Sequence, residues 1–318
     1  MAKLNVDVLP IPAKFNGKPL PPMDKPYHWV EFLLMVAIHL LPFGALYTGA
    51  NAADWAVCIA LYWIRMFAVT GGYHRYFAHR TFKTSRTFQF ILAFLAQTSS
   101  QKGTLWWAAH HRKHHKFSDT PWDAHSPARL GFWHSHMMWF YYPENNPTDL
   151  KQVRDLAKFP ELVWLNKHWK VPVIALGLAC GLTLGWSGLF IGFGLSTVLC
   201  WHGTFTINSL SHVFGSRRFA TTDTSRNNFL LALITMGEGW HNNHHHYMGS
   251  TRQGFYWWEI DMTYYILKAM SWGGLVWDLR PVPESILEEG RRGVKPPSPT
   301  EVIRAQGAVD SEQPVQAA

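Results

Sequence analysis

Two long apolar stretches dominate the pattern of hydrophobic and charged positions along the chain. The first covers residues 30–64, contains no Lys or Arg, and is interrupted after Gly49 by a short polar break. A helix needs about 20 apolar residues to cross a hydrocarbon layer about 30 Å thick. The pattern therefore predicts a helical hairpin that crosses a membrane twice, with spans at about 31–49 and 54–72.

The second stretch, residues 171–216, contains no Lys, Arg, Asp or Glu. Glycines near its middle, including Gly185, indicate a turn, so the stretch predicts a second hairpin with spans at 171–187 and 189–210. The apolar run at 88–96 is too short to cross and predicts a buried or interfacial helix. The expected fold is an all-α integral membrane protein with four transmembrane helices.

Basic residues lie on one side of these spans. The turn within each hairpin carries none, whereas the N-terminal segment, residues 75–170 and the C-terminal part contain many, so both termini and the central segment are expected in the cytoplasm. Arg65 falls near the cytoplasmic end of its span and is expected to anchor it at the interface. We divide the chain into a Pro-rich cytoplasmic segment (1–28), a membrane domain (29–280) and a C-terminal tail predicted to be disordered (281–318).

The composition agrees with a multi-pass membrane protein, for which a bacterial inner membrane is the expected location. Hydrophobic residues make up 47% of the chain, aromatic residues 15% and charged residues only 16%. The formal net charge of +8 is attributed to an anionic membrane surface, because no nucleic-acid motif accompanies it. Three cysteines at wide spacing inside apolar runs indicate neither a disulfide framework nor a cysteine metal site.

Histidine spacing is the strongest chemical signal in the sequence. Eight of the eighteen histidines fall into three boxes close to the predicted cytoplasmic ends of the spans: His74 and His79; His111, His114 and His115; and His241, His244 and His245. Positions i, i+3 and i+4 share one face of a helix, so each H-x-x-H-H box is expected to direct its imidazoles to a common centre. Neutral imidazole is a good ligand for iron, zinc, copper or nickel.

Eight imidazoles exceed the ligands that one ion accepts, so the boxes indicate two metal ions. The boxes contain no Asp or Glu, which favours redox chemistry over the hydrolysis performed by paired zinc ions. The other histidines have no such pattern and are expected to be ordinary core or interfacial residues: His28, His39, His125, His134, His136, His168 and His202. His110 and His246 adjoin boxes, and spacing does not exclude a shift of ligation by one residue.

The boxes and their flanking residues resemble those of membrane-bound acyl desaturases of the acyl-CoA (stearoyl-CoA) Δ9 type. The resemblance covers roughly residues 29–281 and includes Gly72-Tyr-His74-Arg-Tyr-Phe-Ala-His79-Arg, His111-Arg-Lys-His114-His115-Lys-Phe-Ser-Asp-Thr and Gly237-Glu-Gly-Trp-His241-Asn-Asn-His244-His245. It implies that His212, in Asn208-Ser-Leu-Ser-His212, is a ninth ligand and that Asn208 holds a metal-bound water. The implied fold places a cytoplasmic helical cap, with a di-iron centre, on four membrane helices.

The implied reaction is the O2-dependent removal of two hydrogens from a saturated acyl chain, which leaves a cis double bond. By resemblance, side chains of the second span close the far end of the substrate tunnel, at the level of Cys58 and Tyr62. We hypothesise that Tyr62 shortens the tunnel and favours sixteen over eighteen carbons, the alternative being ordinary helix packing. Asp123-Ala-His125-Ser-Pro127 differs from the Asp-Pro-His-Asn of many relatives, and the substrate headgroup, acyl-CoA or acyl-lipid, stays open.

The chain carries no fused electron donor: it contains no His-Pro-Gly-Gly haem signature and no ferredoxin-like cysteine set. A separate ferredoxin, or a b-type cytochrome with its reductase, is therefore expected. The nearest alternative function is a histidine-box hydroxylase or ketolase, which would insert oxygen into the chain. A non-catalytic metal-binding membrane protein is a further alternative, but it would need ionisable residues inside the spans, and 171–199 offers none.

Overall fold

Helices form nearly all of the regular structure in the computed structural model of the chain, which describes residues 14–15, 18–19, 28–293 and 295–311. The predicted Pro-rich segment therefore lies largely outside the described residues. The α-helices are α1 (Trp29–Leu40), α2 (Ala45–Thr48), α3 (Ala52–Phe67), α4 (Arg86–Gln97), α5 (Thr104–Phe117), α6 (Pro127–Leu130), α7 (Arg154–Ala157), α8 (Pro160–Lys167), α9 (Lys170–Ser187), α10 (Ser196–Asn208), α11 (Leu210–Val213), α12 (Phe229–Ile234), α13 (His241–His246), α14 (Met262–Trp272), α15 (Glu284–Arg292) and α16 (Pro299–Ser311).

Irregular helices and short strands complete the described secondary structure. Three segments are π-helical: Ala68–Ala78, His134–Met138 and Gly188–Leu195. Four short turns are 3₁₀-helical: Leu41–Gly44, Trp139–Tyr141, Pro143–Asn145 and Leu150–Val153. The strands form two antiparallel pairs: β1 (Lys14–Phe15) with β2 (Lys18–Pro19), and β3 (Lys83–Thr84) with β4 (Val276–Trp277).

Three continuous helical segments are long and apolar enough to cross a membrane: Trp29–Thr48, Ala52–Ala78 and Lys170–Val213. They cover the predicted spans. The third has 44 residues and is interrupted at Gly185, whose φ of 73° and ψ of −160° are not helical. Within it, Gly177 faces Phe193 and Gly181 faces Leu189, so the two halves run antiparallel from a turn near Gly185, where the sequence predicted it.

The first hairpin turns where the sequence places a helix cap. The Asn51 side chain accepts hydrogen bonds from the backbone N–H groups of Ala53 and Asp54, at 2.8 and 3.2 Å, and Asp54 accepts from the Asn51 N–H at 2.8 Å. This reciprocal capping box satisfies donors that the first turn of α3 would otherwise leave unpaired. The polar break after Gly49 is therefore the start signal for α3.

Arg65 does not reach the interface as expected. Its side chain is 1% exposed and lies between helices, donating to Thr197 Oγ1 at 2.7 Å, to Ser196 Oγ and to the Leu61 carbonyl at 3.1 Å. The expectation was wrong because the hydroxyls of Ser196 and Thr197, on α10, offer hydrogen-bond acceptors inside the bundle. A buried guanidinium needs such partners.

The largest hydrophobic core lies beneath the histidine segments. Helices α4 and α5 pack on the π-helix Ala68–Ala78 and α8 packs on both of them, and Leu92, Leu105 and Leu162 from the three α-helices are at most 1% exposed. The predicted short helix at 88–96 is α4, and its buried face belongs to this core. The core fixes the backbone that carries the first two boxes.

The tail predicted to be disordered contains two helices, α15 and α16, within its described residues. Ile286 and Leu287 of α15 pack against a cluster of Phe219, Phe255 and Tyr256. The polar composition suggested disorder, but a few apolar side chains on one face of α15 suffice because the membrane domain supplies an aromatic surface for them.

The third box depends on a glycine that no larger residue can replace without a backbone shift. A Cβ at Gly239 would lie 2.1 Å from the Ala232 nitrogen and 2.4 Å from the Asn228 carbonyl oxygen. We expect Gly239→Ala to lower the free energy of unfolding by about 3 kcal/mol or more, through overpacking against main chain. The measurement is the thermal unfolding midpoint in detergent. Gly273→Ala is the matched control, since its nearest atom is 3.7 Å away, and equal midpoints would contradict the prediction.

Candidate metal centre

Four separate segments bring nine histidines together: the π-helix Ala68–Ala78 with the residue that follows it, and helices α5, α11 and α13. They are the nine histidines that the sequence predicts as ligands: His74, His79, His111, His114, His115, His212, His241, His244 and His245. Long-range packing is what unites them, because His74 and His244 are 170 positions apart and their Nε2 atoms are 3.0 Å apart.

The spacing of the first box is explained by a π-helix. His74 and His79 are five positions apart, which places them on different faces of an α-helix. Here the His79 N–H donates to the His74 carbonyl at 3.1 Å, an i to i+5 bond, and the two ring centroids are 4.8 Å apart. The wider π-turn therefore makes the two imidazoles neighbours, as such turns often do at functional sites.

The nine histidines form two groups. The five-histidine group consists of His74, His79, His111, His115 and His244; the four-histidine group consists of His114, His212, His241 and His245. The expectation that each box points to one common centre was wrong, since the second and third boxes each contribute to both groups. Helices α5 and α13 lie between the groups, and adjacent residues such as His114 and His115 project to either side.

The ring nitrogens are spaced as ligands of a single ion would be. Within the five-histidine group, Nε2–Nε2 distances are 2.8 Å for His79–His111, 3.0 Å for His111–His115 and 2.9 Å for His115–His244. Two nitrogens that each lie about 2.1 Å from one ion, at a right angle, are about 3.0 Å apart. The donor set therefore fits a metal ion with several cis imidazoles.

Carboxylates fix the ring orientation in the four-histidine group. Each carboxylate accepts from Nδ1, which leaves Nε2 to face the group: Asp123 from His114 at 3.1 Å, Asp119 from His212 at 3.2 Å, and Asp223 from His245 at 2.5 Å. Outer-shell acceptors of this kind select the tautomer and raise the basicity of the coordinating nitrogen. His245 Nε2 is buried and has no hydrogen-bond partner, as expected of a nitrogen that would coordinate a metal ion.

A charged network supports the five-histidine group. His74 Nδ1 contacts Glu238, whose other oxygen accepts from Arg75 at 3.0 Å. Arg75 also pairs with Asp261 at 2.9 Å and donates to the Thr251 carbonyl at 2.8 Å. The guanidinium is 1% exposed, and its full set of partners is the condition for burying such a charge. The π-helix that bears His74 is thereby tied to the segment before the third box.

The site favours neutral imidazoles. Burial and the neighbouring imidazoles lower the pKa well below the ordinary histidine value for five rings: His79, His111, His115, His241 and His244. Burial alone would raise the pKa of Asp223, but His245 beside it holds that pKa well below its usual range. Neutral rings backed by ionised carboxylates are the form that binds a divalent ion.

Two cavities reach the histidines. The larger, of about 400 Å³, is mostly apolar and runs between α1, α9 and α10 to His111 and Asn208. The smaller, of about 40 Å³, lies beside both groups and shares His111 and Asn208 with the lining of the larger. Asn208, predicted to hold a metal-bound water, therefore lies between the two cavities and next to histidines of both groups. Met66 lines the small cavity, whereas neither Cys58 nor Tyr62 lines either of these two.

Several histidines outside the boxes have specific partners. His125 stacks on His114, with ring centroids 4.3 Å apart, and joins His114 and Asp123 in a third set that could hold a metal. In α10, His202 lies between His39 and His136, and a ring nitrogen of each is 3.0 Å from a ring nitrogen of His202. His125 is thus in ring contact with a member of the four-histidine group, and its position in the loop after the second box is the signal that could have indicated it.

Comparison with known proteins decides which family this site belongs to. A family model described as "Fatty acid desaturase" matches residues 50–277. An sn-2 palmitoyl-lipid 9-desaturase of Nostoc sp. (strain 36) is 33% identical over 251 residues, 75% of this chain and 88% of the relative. A Delta-9 acyl-lipid desaturase of Arabidopsis thaliana is 36% identical over 255 residues (79% and 82%), and an acyl-CoA 5-desaturase of Anemone leveillei is 32% identical over 288 residues (86% and 89%).

The chain belongs to the fatty acid desaturase family. It is therefore an oxidoreductase of lipid metabolism with metal-binding histidine clusters and helices suited to a membrane. Sequence reasoning on this desaturase missed the carboxylates behind the rings. Asp119, Asp123 and Glu238 stand close to boxes in sequence and could have been found there, whereas Asp223 is 22 positions from the ring it contacts.

The carboxylates supply a test of the four-histidine group as a metal site. We expect Asp119→Asn in the desaturase to weaken metal binding by about tenfold, and Asp119→Ala by about 100-fold, because His212 loses first the charge and then the acceptor behind it. The measurement is a competition titration against a chelator, with metal content determined by mass spectrometry. Asp278→Asn, at an exposed ion pair with Lys83, is the control and should bind as the wild type does. Unchanged affinity in Asp119→Ala would contradict the assignment.

Proposed function

We propose that the protein introduces a cis double bond into a saturated fatty acyl chain at a di-iron centre held by the nine histidines. The observation that carries the proposal is that His111 and Asn208 line both an apolar cavity and a smaller cavity beside the two histidine groups. An apolar chain lying along both cavities would present one pair of methylenes to the centre. Family membership and the two metal-compatible groups support this reaction.

The stoichiometry explains what the centre must provide. Desaturation removes two protons and two electrons from –CH2–CH2–. Together with two further electrons and two protons from outside, these reduce O2 to two waters and leave –CH=CH–. A bound iron pair would supply the redox chemistry with O2 that an unactivated C–H bond requires. The protein holds the ligand rings neutral and oriented, and it surrounds the reacting methylenes with apolar side chains.

The larger cavity suits an acyl chain with a polar end. Leu34, Ile38 and Val173, from α1 and α9, supply apolar walls, while Glu31, Lys102 and Lys170 line its polar end. Lys102 contacts Glu31 at 3.2 Å, and its ammonium lies 4.9 Å from the Trp106 ring centroid. A volume of about 400 Å³ is within the range of ligand pockets. We propose that the chain enters past Lys102 and that its methyl end lies in the small cavity.

We infer position 9 for the double bond from relatives named as 9-desaturases, and an acyl-lipid or acyl-CoA substrate from relatives named for each. Selecting one methylene among many depends on the distance from the held headgroup to the centre, because a methylene offers no hydrogen bond for recognition. Asn208 would hold a metal-bound water, consistent with its place in the lining of both cavities.

For the topology we propose four membrane passes, with both termini and the metal centre on the cytoplasmic side. The 44-residue segment would be about 66 Å long if straight, twice what one crossing needs, and it turns back at Gly185. Electrons would come from a separate ferredoxin or b-type cytochrome. Domain limits at about 29 and 280 and a bacterial inner membrane complete this proposal.

The reaction can be tested by analysing the fatty acids of cells that express the protein. We expect new cis-monounsaturated chains with the wild type. The yield of these chains should fall by more than about 100-fold with His111→Ala, which removes a ring from the five-histidine group, and with His241→Ala, which removes one from the four-histidine group. Gas chromatography with mass spectrometry of derivatives locates the double bond. His168→Ala, at an exposed histidine outside both groups, is the control and should retain activity.

Other product patterns would contradict the proposal in distinct ways. Chains that gain oxygen mass would indicate the hydroxylase or ketolase alternative. Unchanged fatty acids, with the wild type inserted in the membrane and a reductase system supplied, would count against acyl-chain chemistry altogether.

The end of the small cavity gives a separate prediction about chain length. Met66 lines that cavity, and its methyl group packs against α10, where a Cβ at Gly203 would lie 2.7 Å from it. We propose that Met66 closes the cavity. We expect Met66→Ala to shift the preference toward chains about two carbons longer, because roughly three heavy atoms are removed from the cavity end. The measurement is competition between C16 and C18 substrates. Tyr62→Phe removes the hydroxyl that donates to the Ile234 carbonyl at 2.6 Å and should leave the chain-length preference unchanged. A changed preference in Tyr62→Phe, with none in Met66→Ala, would contradict this prediction and support the Tyr62 hypothesis.

A further inference from the structure

One side chain near the C-terminus joins two loops beside the four-histidine group. The Gln306 amide nitrogen donates to the Thr222 carbonyl at 2.7 Å and to the Ser118 carbonyl at 3.3 Å. Its oxygen accepts from the Arg129 guanidinium at 3.3 Å. A single amide of α16 therefore bridges main chain from two parts of the protein more than 100 positions apart.

Both bridged loops carry carboxylates that orient metal-site rings. Asp119 follows Ser118 and accepts from His212; Asp223 follows Thr222 and accepts from His245. Thr224 donates to Asp119 through its N–H and its hydroxyl, both at 2.7 Å, so the two loops also contact each other directly. Gln306 thus bonds to the residues that immediately precede two of the three carboxylates that orient rings of this group.

Both helices of the segment that bears Gln306 contact the rest of the protein. We call residues 284–293 and 295–306 the C-terminal arm. In α16, Val302 and Ile303 are 5% and 4% exposed. In α15, the Leu287 carbonyl accepts from the Tyr256 hydroxyl at 2.8 Å, and Glu289 pairs with His246 at 3.0 Å. These contacts fix the arm against the domain, so that Gln306 is held in place rather than reaching the loops by chance.

Gln306 is more selective than the arm as a whole: Glu289 pairs with His246 on the helix that carries His244, whereas the hydrogen bonds of Gln306 go to Ser118, Thr222 and Arg129. The carboxylate of the five-histidine group, Glu238, is held by Arg75 and Gln253. Loss of the Gln306 amide should therefore affect one group and spare the other. This asymmetry separates a positioning role from a general effect on stability.

We propose that the C-terminal arm is a positioning element for the metal centre: Gln306 holds the loops of Asp119 and Asp223 together and so sets the metal affinity of the four-histidine group. The proposal rests on the proposed role of the histidines as ligands. Gln306 touches neither metal nor substrate and acts through the carboxylates. Changes behind metal ligands alter affinity by about 10- to 100-fold, and one step farther out the lower figure applies.

The test uses the full-length protein in detergent, freed of metal, with two substitutions at one site. Gln306→Leu keeps most of the volume but removes the amide, and Gln306→Glu keeps the shape but cannot donate. Stepwise titration with Co²⁺ should resolve two binding events in the wild type. We expect both variants to weaken one event by about tenfold and to leave the other within about twofold. Arg304→Ala, at an exposed position of the same helix, should match the wild type.

Hydrogen–deuterium exchange on the metal-free protein provides a second readout that needs no bound ion. Exchange should become faster at 118–126 and 221–225 in both Gln306 variants and stay unchanged around 238–253. Unchanged Co²⁺ binding in both variants, or equal weakening of both events, would overturn the positioning role. Failure of the wild type to bind Co²⁺ would instead overturn the metal centre itself, and the role of the arm with it.

Discussion

Nine imidazole rings are crowded into two groups, and within each group the nitrogens that could bind a metal all lie within 4.8 Å of one another. Burial and the neighbouring imidazoles lower the pKa of five of the rings well below the ordinary histidine value: His79, His111, His115, His241 and His244. Their Nε2 lone pairs then face one another and gain little by hydrogen bonding, since each neutral ring has one donor that is often already used at Nδ1. A divalent ion removes this conflict, because several lone pairs can share one positive charge. The rest of the structure holds the rings in this position.

The backbone departs from regular helices where this constraint is strongest. The π-helix Ala68–Ala78 brings His74 and His79 to one side, and main chain packs against Gly239 ahead of the third box. Buried charged side chains tie the segments of the site together. Arg75 pairs with Glu238 and Asp261, and Asp119 accepts a hydrogen bond from the Thr224 N–H. Such networks contribute little net stability but penalise any arrangement that leaves a charge unpaired. They therefore specify one arrangement of rings.

Apolar runs and histidine spacing predicted much of the fold and the members of the site, because both are local signals. The runs predicted the long apolar helices and the turn near Gly185, and the boxes with their family resemblance predicted the nine histidines that the structure brings together. The division of the second and third boxes between two groups was not predictable, since it depends on how α5 and α13 pack. Asp223 and Gln306 carry no local pattern at all. Arg65 was misjudged because its partners lie on another helix.

The proposed position of the tunnel end illustrates the same limit of prediction from the sequence. Tyr62 and Met66 are four positions apart on one face of α3, so the sequence identifies the face but not the depth at which a cavity stops. Both side chains lie beside Gly203 of α10, where an added Cβ would be 2.7 Å from the Met66 methyl group and 3.1 Å from the Tyr62 hydroxyl, and that hydroxyl donates to the Ile234 carbonyl of α12 at 2.6 Å. Relatives of similar identity are named for double bonds at positions 9 and 5, so membership of the family does not fix the reaction position. Under the proposed function, that position follows from the lengths of the two cavities that His111 and Asn208 both line. Residues that close or open those cavities should therefore control the product, while the histidines determine only that the reaction occurs.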